Sequence, residues 1–212
     1  MSKIKLTKGE LKKQRDSLKQ FQHYLPTLQL KKQQLQMKIL EARRIIEEKQ
    51  AVLREKEKQM SPWLGLFADP LILREGSKVD FKKWITPAQI VTATMNIAGA
   101  NVPVFKDIAF PNAEYDFYLT PFWVDQAIAE LRIYAAVLAE ITVLEKQITI
   151  LAQELRITTQ RVNLFEKVKI PECKNNIRVI RIYLGDQQAN AVGVSKVAKR
   201  MVATRDLAEA GV

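Results

Sequence analysis

Residues 11 to 60 read LKKQRDSLKQFQHYLPTLQLKKQQLQMKILEARRIIEEKQAVLREKEKQM, a stretch in which apolar residues recur at heptad spacing. Counted in steps of seven from its first leucine, seven of eight positions are apolar, and Lys32 is the exception. The apolar positions are Leu11, Leu18, Leu25, Ile39, Ile46, Leu53 and Met60. A second set three residues further on, from Gln14 to Lys56, is apolar at its four central positions. Two such sets at heptad spacing make a narrow apolar stripe, which predicts a coiled-coil helix that needs a partner helix.

A matching stripe lies in the second half of the chain. Between residues 141 and 165 its positions alternate in steps of three and four: Ile141, Leu144, Ile148, Leu151, Leu155, Thr158, Val162 and Phe165. An earlier stripe, from Val124 to Leu138, runs slightly out of phase, which predicts a stutter between Leu138 and Ile141. Beyond Pro171 the pattern resumes at Ile177, Ile180 and Leu184. We expect the two stripes to pack within one chain as an antiparallel coiled coil, with Leu18 near Phe165 and the residues after about 185 overhanging as a lone helix.

Prolines divide the chain into three segments. Six of the eight fall between residues 61 and 123, so residues 1–60 and 124–212 are expected to be long helices. Pro26 and Pro171 interrupt these helices, and we expect a kink rather than a break at each. In the middle segment, QIVTATMNI at 89–97 is rich in β-branched residues, AGAN supplies a turn, and VPVF starts a second extended run. The pattern predicts a short β-hairpin near residues 89–108.

The middle segment is also rich in aromatic residues, which predict a small knob at the closed end of the coiled coil. They are Trp63, Phe81, Trp84, Phe105, Phe110, Tyr115, Phe117, Tyr118, Phe122 and Trp123. Such a cluster fits either a small private core or an exposed surface for a partner. A two-stranded ribbon is marginally stable alone in water, so we expect the hairpin strands to lean on the coiled coil or on another subunit, and for the hairpin itself we favour partner binding. The predicted fold class is therefore mainly α: a long antiparallel two-helix coiled coil with a short β-hairpin and a small aromatic knob in the middle.

Composition argues against several functional classes. With 47% apolar and 27% charged residues, the chain has no stretch near the roughly 18 consecutive apolar residues of a membrane span, so we expect no direct membrane insertion. The N-terminus lacks the apolar region of a secretory signal, which favours a cytoplasmic protein. The single Cys173 and single His23 lie far apart in sequence, no phosphate-binding glycine motif is present, and no catalytic set converges. We expect no enzymatic activity of its own, no cofactor and no metal.

Positive charge is concentrated near the N-terminus. The net charge is +11, and residues 1–60 hold 16 basic and 7 acidic side chains, a balance of +9. This bias predicts an acidic partner surface. Nucleic acid is disfavoured, because the lysines and arginines are spread around the helix among glutamates and no pattern of base-stacking aromatics accompanies them.

Several segments together resemble the D subunit of the vacuolar and archaeal-type rotary ATPases. NIAGANVPVF at 96–105 resembles its hairpin, and TTQRVNLFEKVKIPECKNNIRVIRIYL at 158–184 resembles its C-terminal helix motif. LTKGELKKQRDSLKQF and LQLKKQQLQ near the N-terminus resemble its opening helix. The chain departs from the family pattern in its tail, which reads GDQQANAVGVSKVAKRM where a more strongly charged segment is usual.

The resemblance implies a central stalk that carries torque between a nucleotide-binding head and a membrane ring, peripheral to the membrane. Its implied partners are the F subunit, the catalytic and non-catalytic A and B subunits of the head, and the stalk subunit, C or d, that caps the ring. The implied binding site for the F subunit is the hairpin: Asn96, Ile97, Ala98, Gly99, Val102, Pro103, Val104 and Phe105. Candidate head contacts are the basic residues Lys12, Lys13, Arg15, Lys19, Lys196, Lys199 and Arg200.

A different class of protein also fits a coiled coil with these features. The alternative is a scaffold or stalk in another assembly, such as an export apparatus. The hairpin sequence favours the rotor interpretation, because a plain tether has no need of NIAGANVPVF between its helices.

Overall fold

The computed structural model describes residues 4–68, 81–114 and 120–209, with side chains described except at residues 68, 81 and 206–209. Helix α1 spans Lys8–Met60 and leads into a 3-10 helix at Ser61–Ala68. A short helix α2 (Phe81–Ile85) precedes strands β1 (Gln89–Ile97) and β2 (Ala100–Ala109). Helix α3 (Trp123–Leu164) passes through a π-helical turn at Phe165–Lys169 into helix α4 (Ile170–Glu209). The predicted fold, two long helical segments with a hairpin between them, is confirmed.

The chain divides into two compact units. One unit joins Met1–Leu30 with Thr158–Val212, and the other is Lys31–Ile157. In α1, every position of the two heptad sets from Leu11 to Met60 is buried or half-buried. The same holds for all eight stripe positions from Ile141 to Phe165. The heptad pattern in the sequence thus coincides with the buried side of both helices.

In the unit 31–157, the coiled-coil core forms from apolar side chains of α1 and α3. One cluster contains Ile46, Leu53 and Ile141, with Tyr134 and Val137 packed against it. Three ion pairs cross between the helices, and in each the lysine belongs to α1 and the glutamate to α3. They are Lys31–Glu154 at 3.9 Å, Lys49–Glu140 at 2.9 Å and Lys56–Glu130 at 2.7 Å. Because each pair joins two fixed positions along the helices, sliding one helix along the other would separate all three.

In the unit formed by the termini, α1 packs against the end of α3 and against α4. The ring of Phe21 lies 5.1 Å from the ring of Phe165, three residues further along α1 than the predicted neighbour Leu18. The buried Asn176 donates a hydrogen bond to Gln14 at 3.4 Å. Beyond this region, nearly every side chain from Gly185 to Arg205 is exposed.

The early part of α3 differs from the predicted stripe. Leu138, placed in the stripe by its spacing, is 42% exposed, so that prediction is wrong at this residue. The buried side instead runs through Tyr134 and Val137 to Ile141, in steps of three and four. The change of phase therefore comes earlier in the helix than the predicted position between Leu138 and Ile141.

The two helix prolines have different surroundings. Helix α1 continues through Pro26, so no break occurs there, as expected. Pro171 follows a π turn, in which the Ile170 N–H binds the carbonyl of Phe165, five residues back. A proline ring collides with the carbonyl four residues before it, here that of Lys167, and offers no N–H to it. The wider turn immediately before Pro171 accommodates this conflict and inserts one extra residue into the helix.

Candidate protein interface

A tight two-residue turn closes the hairpin. β1 and β2 pair antiparallel, with Ile97 opposite Ala100. Ala98 has a φ of 50° and Gly99 a φ of 82°, as a type I′ turn requires at both central residues. The Asn96 side chain supports the turn by accepting the Gly99 N–H at 3.0 Å and by donating to Asn101 at 2.7 Å. Ala100 and Asn101, predicted as part of the turn, therefore belong to β2.

The tip of the hairpin is anchored on the coiled coil. Ala100 and Val102 are buried in one cluster with Leu35, Ile39 and Leu151. Ile97 and Ala98 pack against the same cluster. Of the other predicted hairpin residues, Pro103, Val104 and Phe105 are half-buried, whereas Asn96 and Gly99 are exposed. The hairpin residues predicted to bind the F subunit thus divide into anchors that hold the hairpin in place and side chains that a partner can reach.

The most exposed apolar side chains of the hairpin are on β1. Ile90, Val91 and Met95 are exposed, Met95 to 47%. Beside the hairpin tip lies a groove of about 440 Å³, lined by Gln34, Met37, Lys38, Met95, Asn96, Ile97 and Ala98. The β1 side chains and the α1 wall of this groove were not among the sequence-predicted residues. Met37 and Leu40, apolar residues outside both heptad sets, were the available signal, and both are strongly exposed.

A second groove, of about 510 Å³, lies between β2 and α3. Its lining is Pro103, Thr142, Glu145, Lys146, Thr149 and Ile150. The hairpin tip is therefore flanked by a groove on each side, one shared with each long helix.

The basic residues predicted for head contact fall into two sets. Lys12, Arg15 and Lys19 line a groove of about 680 Å³ near the start of α1, and Lys13 is exposed outside it. The full lining is Lys8, Leu11, Lys12, Arg15, Asp16, Leu18, Lys19, Gln22, Lys174, Ile177 and Arg181. Lys196, Lys199 and Arg200 are exposed further along α4 and do not line the groove. Sequence reasoning missed the cations that α4 adds, Lys174 and Arg181, because only packing brings them beside α1.

The aromatic residues of the middle segment form a partial core. Phe67 contacts the rings of both Trp63 and Trp123, at 5.7 and 5.3 Å. Trp84 is buried with Val124 and Ile128. By contrast, Phe122 is 98% exposed. Three of the predicted knob residues, Tyr115, Phe117 and Tyr118, lie outside the described residues, and the side chain of Phe81 is likewise not described.

Arg132 of α3, not singled out from the sequence, ties this aromatic region to the long helix. Its guanidinium donates hydrogen bonds to the carbonyls of Trp84 and Pro111 and lies 5.5 Å from the centre of the Phe110 ring. One side chain thus holds two separate parts of the middle segment against α3.

The side chains that could take part in catalysis or metal binding are the cysteine, the histidine and one tyrosine, and each has neighbours within the coiled coil or lies at its surface. Cys173 is buried, and desolvation, aided by Glu172 and opposed by Lys169, raises the pKa of its thiol. His23 is exposed beside Tyr24. Tyr134 donates a hydrogen bond to Glu57 at 2.6 Å, which together with burial raises the pKa of the phenol. In the described part of the chain no cluster of three or more His, Cys, Asp or Glu residues is placed to hold a metal ion. None of the described helices has an apolar stretch that could cross a membrane.

Comparison with known proteins identifies the family. A family model that describes the D subunit of ATP synthase matches residues 10–200. The chain belongs to the family of V-type ATP synthase D subunits. It is 46% identical over 199 residues to the V-type ATP synthase D subunit of Borreliella burgdorferi, covering 94% of this chain and 95% of that protein.

More distant D subunits match over the same extent. The V-type ATP synthase D subunit of Chlamydia abortus is 35% identical over 206 residues, covering 96% of each chain. That of Chlamydia muridarum is 33% identical over 205 residues, covering 95% of this chain and 97% of that protein. Membership in this family makes the chain one subunit of a larger complex that couples ATP synthesis to ion transport, with other subunits of that complex as its partners.

Proposed function

We propose that this chain is the non-catalytic central stalk of its V-type ATP synthase, turning with the rotor and carrying torque between the nucleotide-binding head and the membrane ring. The observation that carries the proposal is the packing of the long helices. Every heptad position of α1 from Leu11 to Met60 is at least half-buried, and so is every stripe position from Ile141 to Phe165. A rotor element must twist little under load. Close packing along two helices resists twisting, because a closely packed protein interior has low compressibility.

The cross-helix ion pairs support the same role. The three pairs form together in one register between α1 and α3, because sliding one helix along the other would separate each lysine from its glutamate. Each such partly exposed pair contributes only about 0.2 to 1 kcal/mol, so their effect is on register more than on overall stability.

The hairpin is proposed to receive the F subunit. Support comes from its construction: the tip is buried against Leu35, Ile39 and Leu151, whereas most of β1 is exposed and carries apolar side chains. A ribbon fixed at one end and open along one strand provides a preformed surface for a partner, which lowers the ordering entropy lost on binding.

The basic groove at the start of α1 is proposed to face the A and B subunits of the head. Six cations and one carboxylate line it, so an acidic surface would be attracted. Attraction between exposed charges is screened over about 8 Å at physiological salt and has little directional preference, which suits a shaft that must turn in its bearing. The exposed cations of the α4 tail, Lys196, Lys199 and Arg200, are proposed to contact the same head. The aromatic region with its exposed Phe122 is proposed to contact the ring-capping subunit, C or d, on the cytoplasmic side of the membrane.

Rotation of the chain within an assembled head tests the stalk role directly. The head would be assembled from the A and B subunits with this chain and the F subunit, and a bead would be attached through the exposed position 122 after Phe122→Cys in a Cys173→Ala background. ATP-driven rotation of the bead is the expected result. An assembly that hydrolyses ATP while the bead stays fixed would contradict the proposal.

Charge reversal tests the proposed head contact. The triple variant Lys12→Glu, Arg15→Glu and Lys19→Glu should weaken assembly with the A–B head by about tenfold or more at moderate salt, because attraction becomes repulsion. The matched control reverses three other exposed cations of α1, Arg43, Arg54 and Lys58, and should assemble normally. Equal weakening by both triples would mean that net charge, and not this groove, governs assembly.

A further inference from the structure

The two outer edges of the hairpin can be assigned from its register. In a hairpin closed by a two-residue turn, the residues flanking the turn, Ile97 and Ala100, form a hydrogen-bonded pair, and such pairs alternate along the ladder. Consequently Asn96, Thr94 and Thr92 direct their backbone N–H and C=O groups away from β2. On β2 the outward positions are Asn101, Pro103 and Phe105, opposite them in the register.

The β2 edge carries features that hinder pairing with another strand. Pro103 has no N–H to offer at an outward position. The register shifts between Val91 and Thr92, which leaves Lys106 as an extra residue that bends β2, and Asp107 adds a further charge. Proline, charges and bulges are the devices by which natural proteins close an edge strand to additional partners.

The β1 edge carries none of these features. From Gln89 to Ile97 it has no charged residue, no proline, and two β-branched threonines at its outward positions. Within the described part of the chain, the backbone hydrogen bonds found outside the helices and the hairpin ladder involve no residue of β1. An edge of this kind is a template for one more strand.

We infer that the β1 edge binds an extended, uncharged segment of a partner polypeptide as a third, hydrogen-bonded strand. The inference rests on the proposed function, in which the hairpin receives the F subunit, and it specifies how that partner is held. Main-chain hydrogen bonds to Thr92, Thr94 and Asn96 supply affinity, and apolar side chains of the added strand lie alongside Val91 and Met95.

The charges beside the β1 edge indicate that the added strand is uncharged. Lys38 is the one cation lining the adjoining groove, and its Nζ lies 2.7 Å from Glu41, so the groove carries no net charge. A charged strand would lose hydration there without meeting a counter-charge. The same groove, walled by Met37 and Met95, accepts apolar side chains of varied shape, because methionine side chains adapt readily.

Removing one outward amide tests the mode of binding. Thr94→Pro deletes the outward N–H but no ladder bond of the hairpin, and its control Thr94→Ala keeps the N–H while losing the hydroxyl. Affinity for the F subunit, measured by calorimetry with the full chain, should fall about tenfold or more for Thr94→Pro relative to Thr94→Ala. On the opposite edge, Phe105→Pro should bind as well as its own control, Phe105→Ala. Equal losses from both prolines, or none from either, would overturn the inference.

Amide exchange provides a second readout that does not depend on mutation. In the free chain the amides of Thr92, Thr94 and Asn96 should exchange quickly, whereas those of Met95 and Ile97, which bond to β2, should be protected. Binding of the F subunit should slow exchange at the three outward amides by about tenfold or more, as a new ladder bond requires.

The outcomes separate this inference from the function on which it rests. A stable complex in which the three amides still exchange quickly would contradict the inference of an added strand, while binding of the F subunit itself would stand. Absence of any complex would sink both. Slowed exchange that appears in the chain alone and increases with concentration would show that a second copy of this chain takes the edge, which also overturns the inference.

Discussion

Gly99 is a residue whose backbone conformation is required by the hairpin. Its φ of 82° lies in the left-handed region, and an added Cβ would meet only the Lys31 amine at an ordinary 3.5 Å. Any penalty for a side chain here therefore comes from backbone conformation and not from a collision. Ala98, with a φ of 50°, already bears such a penalty, because left-handed conformations disfavour a Cβ by about 1 to 2 kcal/mol.

Substitutions at the turn should have opposite effects at its two positions. Gly99→Ala should lower the stability of the hairpin by about 1 kcal/mol, for the reason just given. Ala98→Asn should raise it by about 0.5 kcal/mol, since asparagine tolerates this conformation and is preferred at the first position of a type I′ turn. Amide exchange at Ile97 and Val102, compared with that of the unaltered chain, measures both. A loss of stability at both positions would contradict the assignment of the turn.

At the scale of elements, the π turn is the feature that joins α3 to α4. It adds one residue before Pro171, and the buried side resumes on α4 at Ile170, Cys173, Ile177 and Ile180. Steps of three and four along that run match those of the stripe before the turn. The π turn therefore absorbs an extra residue while keeping the apolar side of the helix directed at α1.

Deleting a residue should consequently be tolerated in the π turn and not in the packed part of α3. In a Pro171→Ala background, which removes the steric reason for the wider turn, deletion of the exposed Val168 should leave a regular α-helix with its buried side unchanged in direction. Its free energy of unfolding should change by less than about 1 kcal/mol. The matched control deletes the exposed Gln153 in α3, which rotates all later positions by about 100° and should cost several kcal/mol. Urea unfolding measures both, and similar losses would contradict this account of the π turn.

At the scale of the whole molecule, the described chain separates a packed part from a helical tail. Apolar packing on α4 extends to Ile180 and the half-buried Leu184, whereas the side chains from Gly185 to Arg205 are exposed. The tail carries apolar residues as well as cations, among them Val194, Val197 and Met201. Exposed side chains contribute little to folding, so we expect the tail to serve interaction with other subunits.

Truncation should therefore separate stability from assembly. Ending the chain after Leu184 should change the free energy of unfolding by less than about 0.5 kcal/mol while weakening assembly with the A–B head. The control, ending it after Phe165, removes the buried Ile170, Cys173, Ile177 and Ile180 and should destabilise the chain by several kcal/mol. Chemical unfolding and co-purification measure the two effects. A large loss of stability in the chain that ends after Leu184 would show that the tail packs against the rest of the chain.

Much of the coiled coil could be read from the sequence, because its cause is local and periodic. A residue every three and then four positions meets the same side of an α-helix, so the heptad sets from Leu11 to Met60 point to one buried side whatever the partner. The hairpin was also accessible, since the β-branched runs on either side of AGAN favour strands and a turn, although the structure gives Ala100 and Asn101 to β2. Family membership followed from the same segments.

Local sequence patterns thus specify the buried side of α1, the buried side of residues 141–165 and the place where the chain reverses, since all three depend on neighbours within a few residues. Packing between distant segments sets the register that brings Phe21 against Phe165, the exposure of Leu138, the π turn before Pro171, and the position of Lys174 and Arg181 beside the basic end of α1. Strand pairing also places Pro103 at the outer edge of β2, whereas the outer edge of β1 has no proline. Each of these features depends on residues far apart in sequence. The most stable arrangement is set by the sum of many small contact energies over the whole packed surface, which no local pattern contains.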